Sequence, residues 1–112
     1  MPELSKPDDL ETVYSRHKWR DLVFRSDLSM TTKVVASVIE STCTYQRKVQ
    51  MQLSAISAYS ISRIIKVSPP EVQQHLDLLF ENGWLFDTGF GSGAKKVYGL
   101  TFRLKPDGTM RT

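Results

Sequence analysis

Two adjacent glutamines, Gln73 and Gln74, are the side chains best suited to read another molecule. A glutamine amide donates and accepts at once, and it pairs bidentately with N6 and N7 of adenine. Ser68 and Pro70 stand just before them and offer a hydroxyl and an apolar ring to a base edge. Cations that can hold phosphate surround this stretch: Arg63 and Lys66 before it, Lys95 and Lys96 after it, and Lys18 and Arg20 near the start of the chain. Phosphates are held by such cations, and sequence is read by side chains that reach base edges. Catalytic patterns are missing. No carboxylate pair, Ser/His/Asp arrangement or phosphate-binding glycine motif stands out, so no enzyme is expected. The glycines around Phe90 lack the strand-to-helix setting of a nucleotide loop. A single cysteine, Cys43, with two histidines, His17 and His75, does not make a zinc site. Cys43 reads as a small packing residue, and His75 as a half-buried packing or phosphate-contacting one. No cofactor, metal or small-molecule substrate is expected.

The element that must position the glutamines runs from about Pro69 to about Asn82, about 21 Å at 1.5 Å per residue. Ser68 stands at the N-cap with Glu71 three residues on, the spacing of a capping box. Pro69 fills the first helical position, where a missing N–H costs nothing. Val72, Leu76 and Leu79 form one apolar stripe, and Asn82-Gly83 supplies the stop. Before it, Ile61, Ile64 and Ile65 predict a short helix capped by Ser60. Only Val67 and Ser68 separate the two, which forces a sharp crossing, as in a helix-turn-helix unit. In such a unit the N-terminal part of the second helix enters the major groove.

Earlier in the chain, Trp19, Leu22 and Val23 share a face and predict a helix around His17 to Arg25. Its other face carries Arg16, Lys18, Arg20 and Arg25. Met30, Val34, Val35, Val38 and Ile39 predict a second helix from about Met30 to about Cys43, capped by Ser29 or Thr31. Leu10, Val13 and Tyr14 suggest one helical turn on Asp8-Asp9-Leu10. Residues 44–59 read as an irregular connection with a strand-like piece around Val49, Met51 and Leu53. Trp84 to Thr88 and Lys96 to Leu104 read as two strands of a hairpin. Gly89 to Lys95 form its glycine-rich tip, and an aromatic there, Phe90, suits minor-groove insertion, an oligomer contact or folding back on the hairpin.

The expected class is mainly α with a small antiparallel β-hairpin, α+β. One domain is expected over residues 8–104, with flexible ends at 1–7 and 105–112. The 112 residues suffice for a small core, and 40% hydrophobic content contains no run long enough to span a bilayer. No apolar secretion segment opens the chain, and a cytoplasmic, nucleoid-associated location is expected. The net charge of +3 is uneven: residues 1–11 hold four acids and one lysine, a balance of −3, which leaves +6 on the rest. A basic body suits a polyanion.

The run V-S-P-P-E-V-Q-Q-H-L-D-L-L-F-E-N-G-W-L resembles the recognition-helix region of winged helix-turn-helix DNA-binding proteins. Those often read G-V-S-x-x-T-V-x-x-H-L-x-x-L-E-x-x-G-W-L, and the match covers Val67, Ser68, Val72, His75, Leu76, Leu79, Gly83, Trp84 and Leu85. The segment H-K-W-R-D-L-V-F-R-S-D-L-S-M-T-T-K-V-V-A is similar to the opening of small winged-helix proteins of phages, plasmids and integrative elements, replication and regulator types among them. The resemblance implies a winged helix-turn-helix that binds double-stranded DNA in a sequence-specific way. It implies a transcriptional regulator or an accessory factor in replication, partition or recombination of a mobile element. One departure bears on affinity. No Arg or Lys lies between Pro69 and Asn82, while Glu71, Asp77 and Glu81 do. Weak binding per monomer, rescued by a homodimer or by oligomers on adjacent sites, is then expected. A winged helix used for protein contacts is the alternative.

Overall fold

The structure, a computed structural model, describes residues 10–13, 15–92 and 95–103. The expectations for the two ends, for Asp8-Asp9, Tyr14 and Leu104, and for the Lys95 side chain lie outside the described residues. The class is α+β: four helices against a five-stranded antiparallel sheet.

The elements in order are β1 (Leu10–Thr12), α1 (Arg16–Arg25), α2 (Met30–Ser41), β2 (Thr44–Gln46), β3 (Met51–Ser54), α3 (Ala58–Ile65), α4 (Pro69–Glu81), β4 (Leu85–Ser92) and β5 (Lys95–Arg103). The helices start where short polar side chains accept from a free backbone N–H. Ser15 accepts from Lys18 N, Ser29 from Thr32 N, Ser57 from Ser60 N and Ser68 from Glu71 N. The cap of α3 is thus Ser57, not Ser60. Tyr59 and Ser60 belong to its first turn, because the 3.6-residue repeat extends back from Ile61 and Ile65 to Ala58. Ile64 falls off that stripe and stays 59% exposed. On α2 the buried positions are Thr32, Val35, Ala36, Val38, Ile39 and Glu40, while Met30 points into solvent.

β5 is the hub of the sheet. It pairs with β4 through Leu85↔Leu100, with β3 through Leu53↔Gly99 and with β1 through Glu11↔Phe102. β2 pairs only with β3. Residues 44–54 are therefore a true hairpin whose second strand joins the sheet, turned at Gln50 with φ 51°. Leu10–Thr12 is a strand and not a helical turn, because β5 supplies the hydrogen-bond partners that an isolated turn lacks. β4 also runs further than expected. It continues through Gly89, Phe90 and Gly91 with a register irregularity between Asp87 and Gly91. Both glycines take positive φ there, 79° and 82°, as a bulge in a twisted ribbon demands. Phe90 is half-buried on this ribbon.

The core is one cluster. Trp19, Val23, Val35, Ile39, Ile61, Val72, Leu76, Leu79 and Leu100 are each sealed from water. Gly83 carries the chain from α4 into the sheet at φ 79°. Gly83 N bonds Phe80 O at 3.1 Å and Trp84 N bonds Leu79 O at 2.9 Å, which ends α4 in a Schellman motif. A Cβ at Gly83 would come within 2.9 Å of Arg103 Cβ and Leu10 Cδ2.

One side chain ties helices to sheet. The buried Trp19 indole N–H donates to Thr101 O at 2.8 Å and to Trp84 O at 3.1 Å. Thr101 Oγ1 in turn donates to Gly83 O at 2.8 Å. Trp19→Phe keeps an aromatic ring but leaves two buried carbonyls without that donor. It is expected to lower unfolding free energy by about 1–3 kcal/mol, read as a lower urea midpoint with unchanged slope.

Candidate nucleic-acid interface

α3 ends at Lys66, a lysine held in the left-handed region at φ 63°, ψ 39°. Lys66 N and Val67 N both bond Ser62 O, at 2.9 and 3.3 Å. This turn redirects the chain into α4 and leaves the Lys66 side chain exposed at the entrance of that helix. Arg63, also exposed, stacks over the Tyr59 ring at 5.9 Å.

α4 lies between two supports. One flank meets α2, where Thr32 Oγ1 sits 2.8 Å from His75 Nδ1. His75 Nε2 is 3.9 Å from Glu71 Oε2. The Glu71 carboxylate thus turns along the helix toward His75, and only the Ser68 half of the expected capping box forms, with Glu71 N 3.4 Å from Ser68 Oγ. His75 is a half-buried packing residue. The other flank carries Gln73, Asp77 and Phe80 and faces the β4–β5 hairpin across a cleft.

The four sequence-expected base-reading residues divide. Ser68, Pro70 and Gln74 are exposed, and Gln74 has no hydrogen-bond partner among the described residues. Gln73 is exposed too, but its Nε2 donates to Asp77 Oδ1 at 2.9 Å. That bond holds its amide over the cleft. The cations divide as well. Lys66 and Arg63 flank the start of α4. Lys96 lies on the hairpin, its Nζ 4.0 Å from Asp87 Oδ2 on a side chain 58% exposed. Lys18 is exposed on α1, with its neighbours committed elsewhere. Arg20 NH1 and His17 Nδ1 both approach Glu40 Oε1, at 3.5 and 3.4 Å, and Arg16 NH1 reaches Cys43 O at 3.4 Å. Glu40 is eight residues beyond Thr32 on α2, about 12 Å at 1.5 Å per residue. The basic face of α1 therefore serves the far end of α2, away from the α2–α4 contact.

Glu40 was invisible in the sequence as a functional or structural centre. Its side chain is 6% exposed, and Oε1 finds charge but no well-aligned hydrogen bond. Next to it Cys43 is buried, and burial pushes its thiol up from the ordinary value, with Arg16 opposing and Glu40 adding to the rise. Tyr59, Asp87 and Tyr98, which line the cleft with Gln73 and Asp77, were missed for the same reason: four separate segments build it. Among the described residues no group of three His, Cys, Asp or Glu is placed to hold a metal ion. No described helix is long and apolar enough to cross a membrane.

Arg20→Ala strips a cation from a buried carboxylate and is expected to destabilise by about 1 kcal/mol, discounted for the exposed guanidinium, whereas Lys18→Ala changes the urea midpoint by no more than about 0.5 kcal/mol equivalent. The native Cys43 thiol is buried and held protonated, whereas in the unfolded chain it is open to solvent and partly ionised at pH 8, so iodoacetamide should modify the native chain at least about tenfold more slowly than the chain in guanidinium chloride. No protein-family model, curated protein or solved structure matches the chain, so the reading of this surface rests on its own geometry.

Proposed function

We propose that the chain is a winged helix-turn-helix protein that binds double-stranded DNA in a sequence-specific way. In this reading α3 and α4 are the helix-turn-helix and the β4–β5 hairpin is the wing. The start of α4 enters the major groove, which at about 12 Å admits one helix. The observation that carries the reading is the exposed start of α4, with Ser68, Pro70 and Gln74 uncovered by any other element among the described residues and Lys66 beside them. Gln74 reads a base edge, and Lys66, Arg63 and Lys96 hold phosphates on either side of it. β3 supports the wing by pairing with β5.

The process served is a regulatory or accessory step, in transcription or in replication, partition or recombination of a mobile element, with the protein working at the nucleoid in the cytoplasm. No reaction is assigned to it. Three or so cations give weak attachment per copy, so pairing of two copies on adjacent half-sites supplies the missing affinity. A second reading has its own support. The rear of α4 exposes Asp77, Leu78 and Glu81, with Leu78 at 40%, an acidic and partly apolar surface suited to a protein partner. A winged-helix adaptor with weak or no DNA binding is the alternative.

Lys66→Gly separates the two without harming the fold, because glycine occupies the left-handed region at lower cost than lysine. Combined with Lys96→Ala, it is expected to flatten the log–log salt dependence of duplex binding by about 0.9 for each phosphate that is no longer neutralised. Gln74→Ala is expected to remove about 1–3 kcal/mol of discrimination between a duplex selected from a random pool and unselected DNA. Fluorescence anisotropy at several salt concentrations measures both. Parental slope and affinity in the double variant would remove the phosphate assignments. No binding of any duplex at micromolar protein and low salt would favour the adaptor.

A further inference from the structure

The cleft between α4 and the hairpin has a volume of about 430 Å³ and does not suit a phosphate. Asp77 enters it from α4 and Asp87 from β4. Each carboxylate is aimed by a short bond on one oxygen: Asp77 Oδ1 accepts from Gln73 Nε2 and Asp87 Oδ1 from Gly89 N, both at 2.9 Å. The second oxygens remain. Asp87 Oδ2 is met only by the exposed Lys96 at 4.0 Å, and Asp77 makes no ion pair among the described residues.

Aromatic rings complete the walls. Tyr59 stands at the mouth, 60% exposed. Phe80 and Tyr98 meet edge to face at 5.2 Å and 69°. Tyr98 is only 4% exposed, yet its hydroxyl has no hydrogen-bond partner among the described residues. It is not one of the fully enclosed orphan atoms, so it borders the cleft. Burial, then Asp87, then Asp77 push its phenol above the ordinary value. The hydroxyl therefore keeps its proton beside both carboxylates.

Two carboxylate oxygens on facing walls, a phenol oxygen and flanking π faces match one common group. A guanidinium offers five N–H donors in a rigid plane, stacks on aromatic rings and satisfies carboxylates. A lysine ammonium is a single strongly hydrated point that neither spans two walls nor stacks. Arg63 already places a guanidinium over Tyr59 from outside the cleft, so that ring accepts such stacking. We infer that the cleft between α4 and the β4–β5 hairpin seats an arginine side chain presented by a partner protein. The site shares one residue with the proposed duplex contacts, since Lys96 lines the cleft and lies 4.0 Å from Asp87, and an arriving guanidinium would take its place beside that carboxylate.

The test uses the full chain and three capped pentapeptides, Gly-Gly-X-Gly-Gly, with X arginine, lysine or citrulline. Amide shifts in a two-dimensional NMR titration report binding. The arginine peptide is expected to shift residues 73–80, 86–89 and 96–98 in a saturable way, with a dissociation constant on the order of 1 mM for a single anchoring side chain. The lysine peptide should bind at least about fivefold more weakly, and neutral citrulline should not saturate. Asp87→Asn and Asp77→Asn should each weaken the arginine peptide about tenfold or more, and Tyr98→Phe about threefold. Asp21→Asn, an exposed acid on α1, should leave it unchanged. Equal binding of the citrulline peptide, parental affinity in both Asp variants, or shifts spread away from the cleft would overturn the inference. Duplex anisotropy on the parent chain and on Tyr98→Phe reads the DNA proposal separately, because neither changes the Lys96–Asp87 pair. If one Asp variant fails to fold, judged by its amide spectrum, the other decides.

Discussion

The indole N–H of Trp19 is the constraint around which the molecule is arranged. It is sealed from water and has to be satisfied, since an orphaned buried donor costs about 1–3 kcal/mol. Its acceptors are carbonyls of Trp84 and Thr101, 65 and 82 residues away. Those two residues are themselves joined, Thr101 N to Trp84 O at 3.0 Å, at the base of the β4–β5 hairpin. One helix of the N-terminal half thus fixes the root of the hairpin. Gly83 and the Schellman motif then fix α4 against that same root. Arg103 NH1 adds a third tie by reaching Glu81 O at 3.0 Å, a cation at a helix C-terminus. The angle between hairpin and α4, and with it the width of the cleft, follows from these few bonds.

α4 has different neighbours at its two ends. Its start is polar, with one acid, Glu71, turned toward His75, and lies beside Lys66 and Arg63. Its rear presents Asp77 and Glu81, and its hairpin-facing flank is acidic and aromatic. A uniform cationic helix would adhere to any polyanion. In the proposed reading, attraction for phosphate comes from Lys66 and Arg63 at the entrance of the helix, and the acidic remainder is left for something cationic. The sparse cations around it also make sense of a net charge of only +3. On the DNA-binding reading proposed above, a weakly attractive field gives low non-specific adhesion and leaves most of the discrimination to side chains such as Gln74.

What the amino-acid order revealed and what it hid divide along sequence distance. α4 was legible because its signals are local: Ser68 and Pro69 at one end, Gly83 at the other, and a stripe of Val72, Leu76 and Leu79 between. The bounds of α1 and α2 were legible within a residue or two for the same reason. β1 and β2 were not, and β3 showed only as a strand-like piece around Val49, Met51 and Leu53. Three or four residues carry too little periodicity to fix a strand, and the partner that places β3 in the sheet, β5, lies 46 residues later at Leu53↔Gly99. Ser57 and Ser60 are equally good caps in isolation, and only the burial of Ile61 chooses the frame. Glu40 sits one position past Ile39 on an apolar face, and nothing nearby announces that His17 and Arg20 will come to it. The α3–α4 turn, the exposed start of α4 and its glutamine could be anticipated, whereas the cleft, assembled from Tyr59, Asp77, Asp87 and Tyr98, could not.

Lys66 sharpens the argument about the surface. Only two described non-glycine residues take positive φ, and Lys66 is one of them. A left-handed residue at the end of a helix is where glycine fits best, and a lysine there is strained by about 1 kcal/mol. Gln50, the other one, sits in the β2–β3 turn, where backbone geometry alone accounts for it. At Lys66 the backbone would be better served by glycine, so the side chain has to supply the reason. It is exposed and forms no ion pair among the described residues. What it does supply is a positive charge at the entrance of α4, two residues before the Ser68 cap and eight before Gln74. In the proposed reading that strained cation meets a phosphate, while the neighbouring cleft, lined by Asp77 and Asp87, takes the opposite charge.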